Sequence, residues 1–93
     1  MEFIDVAWRH RSEEDPVRLV SELDSDRYET RKLEFFPDGR VGFADSVVSS
    51  NNTELGILPV PTVAEINSDP QFHASSMEKQ EFGALWSQYA QRT

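Results

Sequence analysis

Residues 28–45 read Y-E-T-R-K-L-E-F-F-P-D-G-R-V-G-F-A-D, a pattern that predicts two antiparallel strands joined by the turn Pro37-Asp38-Gly39. Proline fixes the backbone at the first loop position, and glycine takes the left-handed conformation that closes a three-residue hairpin. The turn also determines how the two strands pair. The opposed residues are Phe36 and Arg40, Phe35 and Val41, Leu33 and Phe43, and Arg31 and Asp45.

The two faces of this hairpin differ in polarity. One face is apolar, and we expect it to lie against the core: Leu33, Phe35, Val41 and Phe43. The other face carries polar and small residues and suits solvent or a partner: Lys32, Glu34, Phe36, Arg40, Gly42 and Ala44. Because side chains alternate along a strand, this contrast predicts one buried and one outward face.

Two further strands are predicted before the hairpin. Residues 2–10 alternate, with the apolar side chains of Ile4, Val6 and Trp8 on one side. Residues 17–23 would also suit a helix by composition, but their apolar residues at period two favour a strand. A slip of one residue would turn its apolar side outward. We therefore expect a register that sets Leu19 opposite Leu33, Val17 opposite Phe35 and Arg18 opposite Glu34.

The second half of the chain predicts two helices. Residues 62–65, T-V-A-E, form a capping-box pattern that opens a short helix, which ends before Asp69-Pro70. Residues 77–91 predict a longer helix with an apolar stripe at Phe82, Leu85, Trp86 and Tyr89. Elsewhere we expect a loop at 46–53, an extended segment or edge strand at 55–61, and a linker at 71–76.

Strands that precede helices indicate an α+β fold rather than a parallel α/β sheet. We expect one domain over residues 1–93, a mainly antiparallel four- to five-stranded sheet covered on one face by the short helix and the longer C-terminal helix. The chain has no cysteine and therefore no disulfide. It shows no secretory signal pattern and no apolar run of about 20 residues. A soluble cytoplasmic protein is the expectation.

The composition is strongly acidic, with 17 Asp and Glu, 9 Lys and Arg, and a formal net charge of −8. This charge argues against direct binding to DNA or RNA and favours a protein partner with a basic surface. The expected contact residues lie mostly in two early loops: Glu13, Glu14, Asp15, Glu22, Asp24, Asp26 and Glu29. The alternative is that the acidity only keeps a small protein soluble.

A second candidate site involves charges on the expected core face of the hairpin. Glu29 and Arg31 alternate onto that face, where a charge costs free energy unless it is paired. Asp45 lies across the hairpin from Arg31, and Trp8 ends its strand at the expected mouth of a pocket. An alternative ligand site thus comprises Trp8, Glu29, Arg31 and Asp45, with Arg31 gripping an anionic group. The plainer interpretation is an ion cluster at the sheet edge.

Catalytic and metal-binding patterns are absent from the sequence. His10 and His73 lack the spacing of a zinc site, and Asp24-Ser25-Asp26 departs from a calcium loop at the following ligand positions. We therefore expect no metal, no cofactor and no enzymatic activity.

Several segments together resemble a widespread bacterial family of small proteins that is described only as a domain of unknown function. They are F-I-D-V-A-W (3–8), P-V-R-L-V-S-E-L-D (16–24), residues 27–45, T-E-L-G (53–56), P-T-V-A-E-I-N-S-D-P-Q-F (61–72) and F-G-A-L-W (82–86). The resemblance covers nearly the whole chain and brings no functional residues with it.

Three functional hypotheses follow from the charge and the face pattern. By analogy with small acidic proteins, the first is an immunity or inhibitor protein that neutralises a basic, nucleic-acid-acting effector. The second is a small-ligand-binding or enzymatic domain at the alternative ligand site. The third is a structural subunit or homodimer, with Phe36 and Val20 as its apolar contacts.

Overall fold

The structure, a computed structural model, describes residues 1–50 and 53–90. Within these residues the chain forms five strands and two helices: β1 (Glu2–Trp8), β2 (Arg18–Leu23), β3 (Glu29–Phe35), β4 (Val41–Asp45), α1 (Val63–Asn67), β5 (Phe72–Ser76) and α2 (Lys79–Tyr89). The strands form one antiparallel sheet in the order β4-β3-β2-β1-β5. The α+β prediction is confirmed, and residues 17–23 contain a strand rather than a helix.

The hairpin between β3 and β4 has the predicted register. Leu33 pairs with Phe43, Phe35 with Val41, and Arg31 with Asp45. The N–H of Phe36 donates to the carbonyl of Arg40 at 2.9 Å, and Gly39 has φ of 92°. Because the turn needs a positive φ at this position, glycine and the preceding proline together determine the pairing.

The predicted register between β2 and β3 is wrong by one residue. Val20, rather than Leu19, lies opposite Leu33, and Leu19 lies opposite Glu34. The prediction assumed that only one face of β2 is buried, whereas Val20 through Leu23 are all buried. Arg18 lies opposite Phe35 and pairs instead with Asp5 of β1, through bonds of 2.9 and 2.8 Å.

The two helices pack on opposite faces of the sheet, which corrects the expectation that both cover one face. Helix α2 places Phe82 on a cluster that contains Phe3, Val20, Leu33 and Phe43. Helix α1 places Val63 and Ile66 on a separate cluster: Ile4, Val6, Leu23 and Ala74. The physical reason is visible in β1, where the consecutive residues Phe3 and Ile4 are both buried and therefore serve opposite faces.

Strand β5 lies within residues 71–76, which were predicted to be a linker. Its short run of Phe72, His73 and Ala74 alternates too briefly among serines to indicate a strand, and pairing with β1 creates it. The flanking helices match the sequence more closely. The capping box of α1 is present between Thr62 and Glu65, and the apolar stripe of α2 faces the sheet.

Both edges of the sheet are closed by the chain itself. At the β4 edge, Ala44 bridges to Ser49, and the N–H of Ser50 donates to the carbonyl of Phe43 at 2.9 Å. At the β5 edge, the side-chain amide of Asn67 bonds both the N–H and the carbonyl of Ala74, at 2.6 and 2.9 Å. These bonds occupy backbone groups that a foreign strand would otherwise use.

Neither helix of the described residues has the length and apolar content needed to cross a membrane.

Candidate functional site

The sheet is incompletely covered on the face that carries α1. The five-residue helix α1 packs mainly against β5, at one side of the sheet. On the other side, residues 53–56 lie over β3 and β4. A groove of about 590 Å³ lies beside α1, and we call it the α1 groove. It is lined by Ile4, Val6, Leu19, Ser21, Glu29, Val60, Pro61, Glu65, Ile66, Ser68, Asp69 and Phe72.

The segment T-E-L-G (53–56) is held in place by specific polar contacts. Thr53 is fully buried and donates its hydroxyl hydrogen to Glu34 at 2.9 Å. It lies directly over Gly42, where a Cβ atom would come within 1.9 Å of the Thr53 hydroxyl oxygen. Gly42 therefore allows the segment to approach the sheet closely.

Glu29 lines the α1 groove and contacts this segment, within a network of hydrogen bonds. Its carboxylate accepts the N–H of Gly56 at 2.6 Å and the hydroxyl of Ser21 at 3.2 Å. Lys32 lies 3.4 Å from Glu29 and 3.7 Å from Glu34, so one ammonium group serves two carboxylates. The three charged side chains are mostly buried, and the network keeps a net negative charge beside the groove.

Glu29 reaches this face because the β2–β3 pairing is irregular. The register jumps from Glu22 opposite Arg31 to Leu23 opposite Glu29, so that Thr30 is passed over. An extra residue in one strand reverses the direction of the side chains beyond it. Glu29 consequently shares a face with Leu23, while Arg31 lies on the α2 face.

The end of the groove near Val60 and Pro61 is fixed by Arg27. Its guanidinium donates to the carbonyls of both residues, each at 2.8 Å, and pairs with Glu2 at 2.5 Å. Arg27 adopts φ of 67°, in the left-handed region, and its carbonyl accepts the N–H of Val60 at 2.8 Å. A single arginine thus positions the chain that closes this end.

Helix α1 and the residues that follow it contribute two further carboxylates to the groove, Glu65 and Asp69. The pKa of Glu65 lies below its ordinary value because the carboxylate accepts the backbone N–H of Thr62 and also interacts with the Thr62 hydroxyl. Asp69 accepts the N–H of Gln71 at 2.9 Å. All charged residues that line the groove are acidic. The site therefore combines an apolar floor with anionic walls and suits an apolar group that bears a positive charge.

The acidic residues predicted to bind a partner do not form one patch. Glu13, Glu14 and Asp15 are exposed between β1 and β2, at the sheet end where Glu13 and Glu14 lie near Pro37 and Asp38 of the hairpin turn. Asp24 and Asp26 lie between β2 and β3, at the opposite end. The two loops are separated because consecutive connections of an antiparallel sheet lie at alternate ends.

Two of the predicted contact residues are engaged inside the molecule. Glu29 belongs to the network described above, and Glu22 is a bidentate partner of Arg31, with bonds of 2.9 and 2.6 Å. The hydrogen bond from Arg31 lowers the pKa of Glu22, and the hydroxyl of Thr30 lowers it further, against an opposing effect of burial. Glu22 is buried, so its carboxylate stabilises the fold rather than a surface contact.

The residues of the alternative ligand site are also dispersed. The Arg31 guanidinium lies on the α2 face, 4.9 Å from the ring centre of Phe82 and 5.1 Å from that of Trp86. Trp8 is the last residue of β1, and its ring stacks on that of Phe72 with 5.6 Å between the ring centres. Of the four residues, only Arg31 and Asp45 are paired neighbours, and Glu29 alone lines the α1 groove.

The outward face predicted for the hairpin is not available to a partner as a whole. Gly42 and Ala44 are buried, and Lys32 and Glu34 lie in the network under residues 53–56. Val20, an expected contact of a homodimer, is fully buried in the apolar cluster beneath α2. Phe36 is half-buried beneath the guanidinium of Arg40 at 4.9 Å.

Histidines and carboxylates do not converge in the described part of the chain. Over residues 1–50 and 53–90, no three His, Asp or Glu side chains lie close enough together to hold a metal ion. His10 bonds the carbonyl of Pro16 at 2.8 Å, and His73 is exposed on β5. The triplet Asn51-Asn52-Thr53 matches the pattern of a glycosylation acceptor, and its first two residues lie outside the described residues.

The chain belongs to a family described as a domain of unknown function, DUF6881, whose model matches residues 2–91. This match confirms the resemblance drawn from the sequence. No curated protein and no solved structure matches the chain.

Proposed function

We propose that this member of the family is a non-enzymatic binding module that docks onto a basic surface of another protein. The observation that carries the proposal is the distribution of its charges. Over the described residues, five cations form ion pairs with carboxylates of the same chain: Arg18, Arg27, Arg31, Lys32 and Arg40. The excess negative charge is therefore left on carboxylates at the surface and around the α1 groove.

Three regions of the surface supply these carboxylates. They are the β1–β2 loop with Glu13, Glu14 and Asp15, the β2–β3 loop with Asp24 and Asp26, and the groove walls with Glu65 and Asp69. All three regions attract a basic partner at long range, but the partner directly contacts only the regions on one side of the molecule. Such attraction accelerates association and weakens as salt is added, because exposed charges more than about 8 Å apart are screened at physiological ionic strength.

The finer form of the proposal is an immunity or inhibitor protein that neutralises a nucleic-acid-acting effector. A protein that binds a polyanion needs a basic surface, and an acidic module is complementary to that surface. The compact fold and its two closed sheet edges support a preformed binding surface rather than a segment that folds on binding.

The test begins with affinity capture from the producing cell at low and high salt, followed by purification of the captured protein. We expect a partner with a basic surface and an association rate that falls steeply with salt. Neutralising the loops with Glu13→Gln, Glu14→Gln, Asp24→Asn and Asp26→Asn should slow association and flatten the salt dependence. An acidic partner, or a rate that salt does not change, would contradict the proposal.

A small-ligand site is the second candidate, and the volume of the α1 groove favours it. About 590 Å³ lies within the range of small-molecule pockets. Of the four residues in the alternative ligand site, Glu29 is the one that lines this groove, whereas Trp8, Arg31 and Asp45 do not.

A further inference from the structure

We infer that the α1 groove receives an extended segment of the basic partner, in which an aliphatic or aromatic side chain stands next to a lysine or arginine. The inference rests on the proposed function for the presence of a basic protein partner. It adds the surface that binds the partner and the chemistry that the surface recognises.

The closed sheet edges determine how such a segment binds. Ser49 and Ser50 occupy backbone groups of β4, and Asn67 occupies those of Ala74 in β5. A partner strand cannot extend the sheet through these groups. The segment therefore lies across a face of the sheet and is recognised through its side chains.

The floor of the groove provides the apolar part of the recognition. Ile4 and Val6 form its centre, and Leu19 beside them is only half-buried. Leu19 packs against the apolar cluster beneath α1. Because α1 makes its main contacts with β5, it leaves the Leu19 side chain partly exposed to solvent. An apolar side chain placed over Leu19 would complete the covering of the cluster.

The walls provide the charged part of the recognition. Glu65 is exposed and Asp69 is half-buried, and both line the groove. Glu29 also lines it, but this side chain is mostly buried and already pairs with Lys32. Arg27, at the closed end, pairs with Glu2 and bonds two carbonyls. A lysine or arginine next to the apolar side chain would meet the carboxylates of Glu65 and Asp69, which gives the charge complementarity that identifies a cationic occupant.

The adjoining chain favours a protein over a small molecule. Ile57 and Leu58 are 88% and 72% exposed, and they connect Gly56, which bonds Glu29, to Val60, which lines the groove. Exposed aliphatic side chains beside an apolar groove extend the apolar surface beyond what a small ligand covers. A peptide segment continues past the groove and can contact them.

The test uses a defined probe, the hexapeptide acetyl-Ser-Leu-Arg-Leu-Arg-Ser-amide, and a matched peptide with citrulline in place of both arginines. Citrulline keeps nearly the size and shape of arginine but is uncharged, because a carbonyl oxygen replaces one NH₂ group of the guanidinium. Titration into methyl-labelled protein is followed by NMR at Ile4, Val6, Leu19 and Ile66. We expect shifts at these methyl groups, with the citrulline peptide binding about threefold to tenfold more weakly.

The variant pair isolates the groove charges from the overall charge. Glu65→Gln with Asp69→Asn removes two groove carboxylates but keeps oxygen atoms that accept the bonds from Thr62 and Gln71. Glu13→Gln with Glu14→Gln removes the same charge from an exposed loop and is the control. We expect the groove variant to bind the arginine peptide as weakly as the citrulline peptide, and the control to lose less than twofold. Unchanged melting temperatures confirm folding.

Three results would overturn the inference: no shift at the groove methyl groups, equal affinity for the two peptides, or equal losses in the two variants. Shifts caused by 4-phenylbutylamine but not by the peptide would replace the protein segment with a small organic cation. A captured basic partner that binds the groove variant and the native chain equally would refute the groove while leaving the proposed function intact. An acidic captured partner would refute the proposed function whatever the peptides show.

Discussion

Replacing Arg31 with alanine tests whether the Glu22–Arg31 pair is structural. The change removes two charge-assisted bonds to Glu22 and the contacts of the guanidinium with the rings of Phe82 and Trp86. Glu22 is left with its hydrogen bond from Thr30 at 2.7 Å, and its side chain is only 10% exposed. The pair therefore joins β2, β3 and α2, and its loss affects all three.

The magnitude follows from these contacts. A buried carboxylate that loses its partner costs about 1–3 kcal/mol, and the two ring contacts add about 0.5–1 kcal/mol each. Because 31% of the Arg31 side chain is exposed, we take about 3 kcal/mol as the expected loss in the free energy of unfolding. This is a large part of the roughly 5–15 kcal/mol that stabilises a typical domain.

Urea unfolding followed by circular dichroism measures this loss, and a double-mutant cycle assigns it to the pair. Glu22→Gln alone should cost less, because glutamine still accepts the bond from Thr30. The coupling energy between the two substitutions should exceed about 1 kcal/mol. A loss below about 0.5 kcal/mol for Arg31→Ala, or additive single losses, would refute the structural role and leave Arg31 free to bind an anion.

Three further predictions concern the fold. The pKa of Glu22 is lowered, so its contribution to stability is present above the ordinary glutamate value of about 4.3 and is lost as pH falls through the folded value. The free energy of unfolding should therefore fall more between neutral and acid pH in the wild type than in a variant without this pair, and the two proteins should become more alike in stability as pH falls. Gly42→Ala should destabilise the fold by about 2 kcal/mol, because the added Cβ would displace Thr53. Gly83→Ala should instead stabilise α2 by up to about 1 kcal/mol, because its Cβ would have no neighbour within 4 Å. Equal changes in the melting temperatures of the two variants would contradict this reasoning. Asn67→Ala should cost about 1–2 kcal/mol and open the β5 edge to self-association, which sedimentation would detect as concentration-dependent mass.

The sequence predicted those parts of the fold that local rules determine. Pro37 and Gly39 specify the hairpin, Thr62 and Glu65 specify the start of α1, and the spacing from Phe82 to Tyr89 specifies the buried stripe of α2. In each case the interacting residues lie within a few positions of one another. Turn geometry, capping and helical periodicity then act without help from the rest of the chain.

The errors arose where distant parts of the chain decide the outcome. The β2–β3 register depends on burial of both faces of β2, which only the placement of the helices on opposite sides creates. Strand β5 exists because β1 offers it a partner. The irregular pairing beside Thr30 moved Glu29 to the other face from Arg31. Side-chain alternation alone could not indicate this reversal.

The candidate site was only partly predictable for the same reason. Glu29 was identified from its charge, but the groove also requires the placement of the short α1 beside β5 and the anchoring of Val60 by Arg27. The contact between Arg27 and Val60 is not local in sequence. The P-V-P run at 59–61 was a signal of an irregular segment, although not of its position beside the sheet.

Hydrogen exchange of the chain alone and in complex with its purified partner tests most directly whether a basic protein docks on the α1 face. Exchange should slow at the amides of Leu19 and Ser21 and across α1 (Val63–Asn67). The amides of α2 (Lys79–Tyr89), on the opposite face, should exchange as they do in the free chain. Slower exchange confined to α2 or to the Glu13–Asp15 loop, with the α1 face unchanged, would contradict the account.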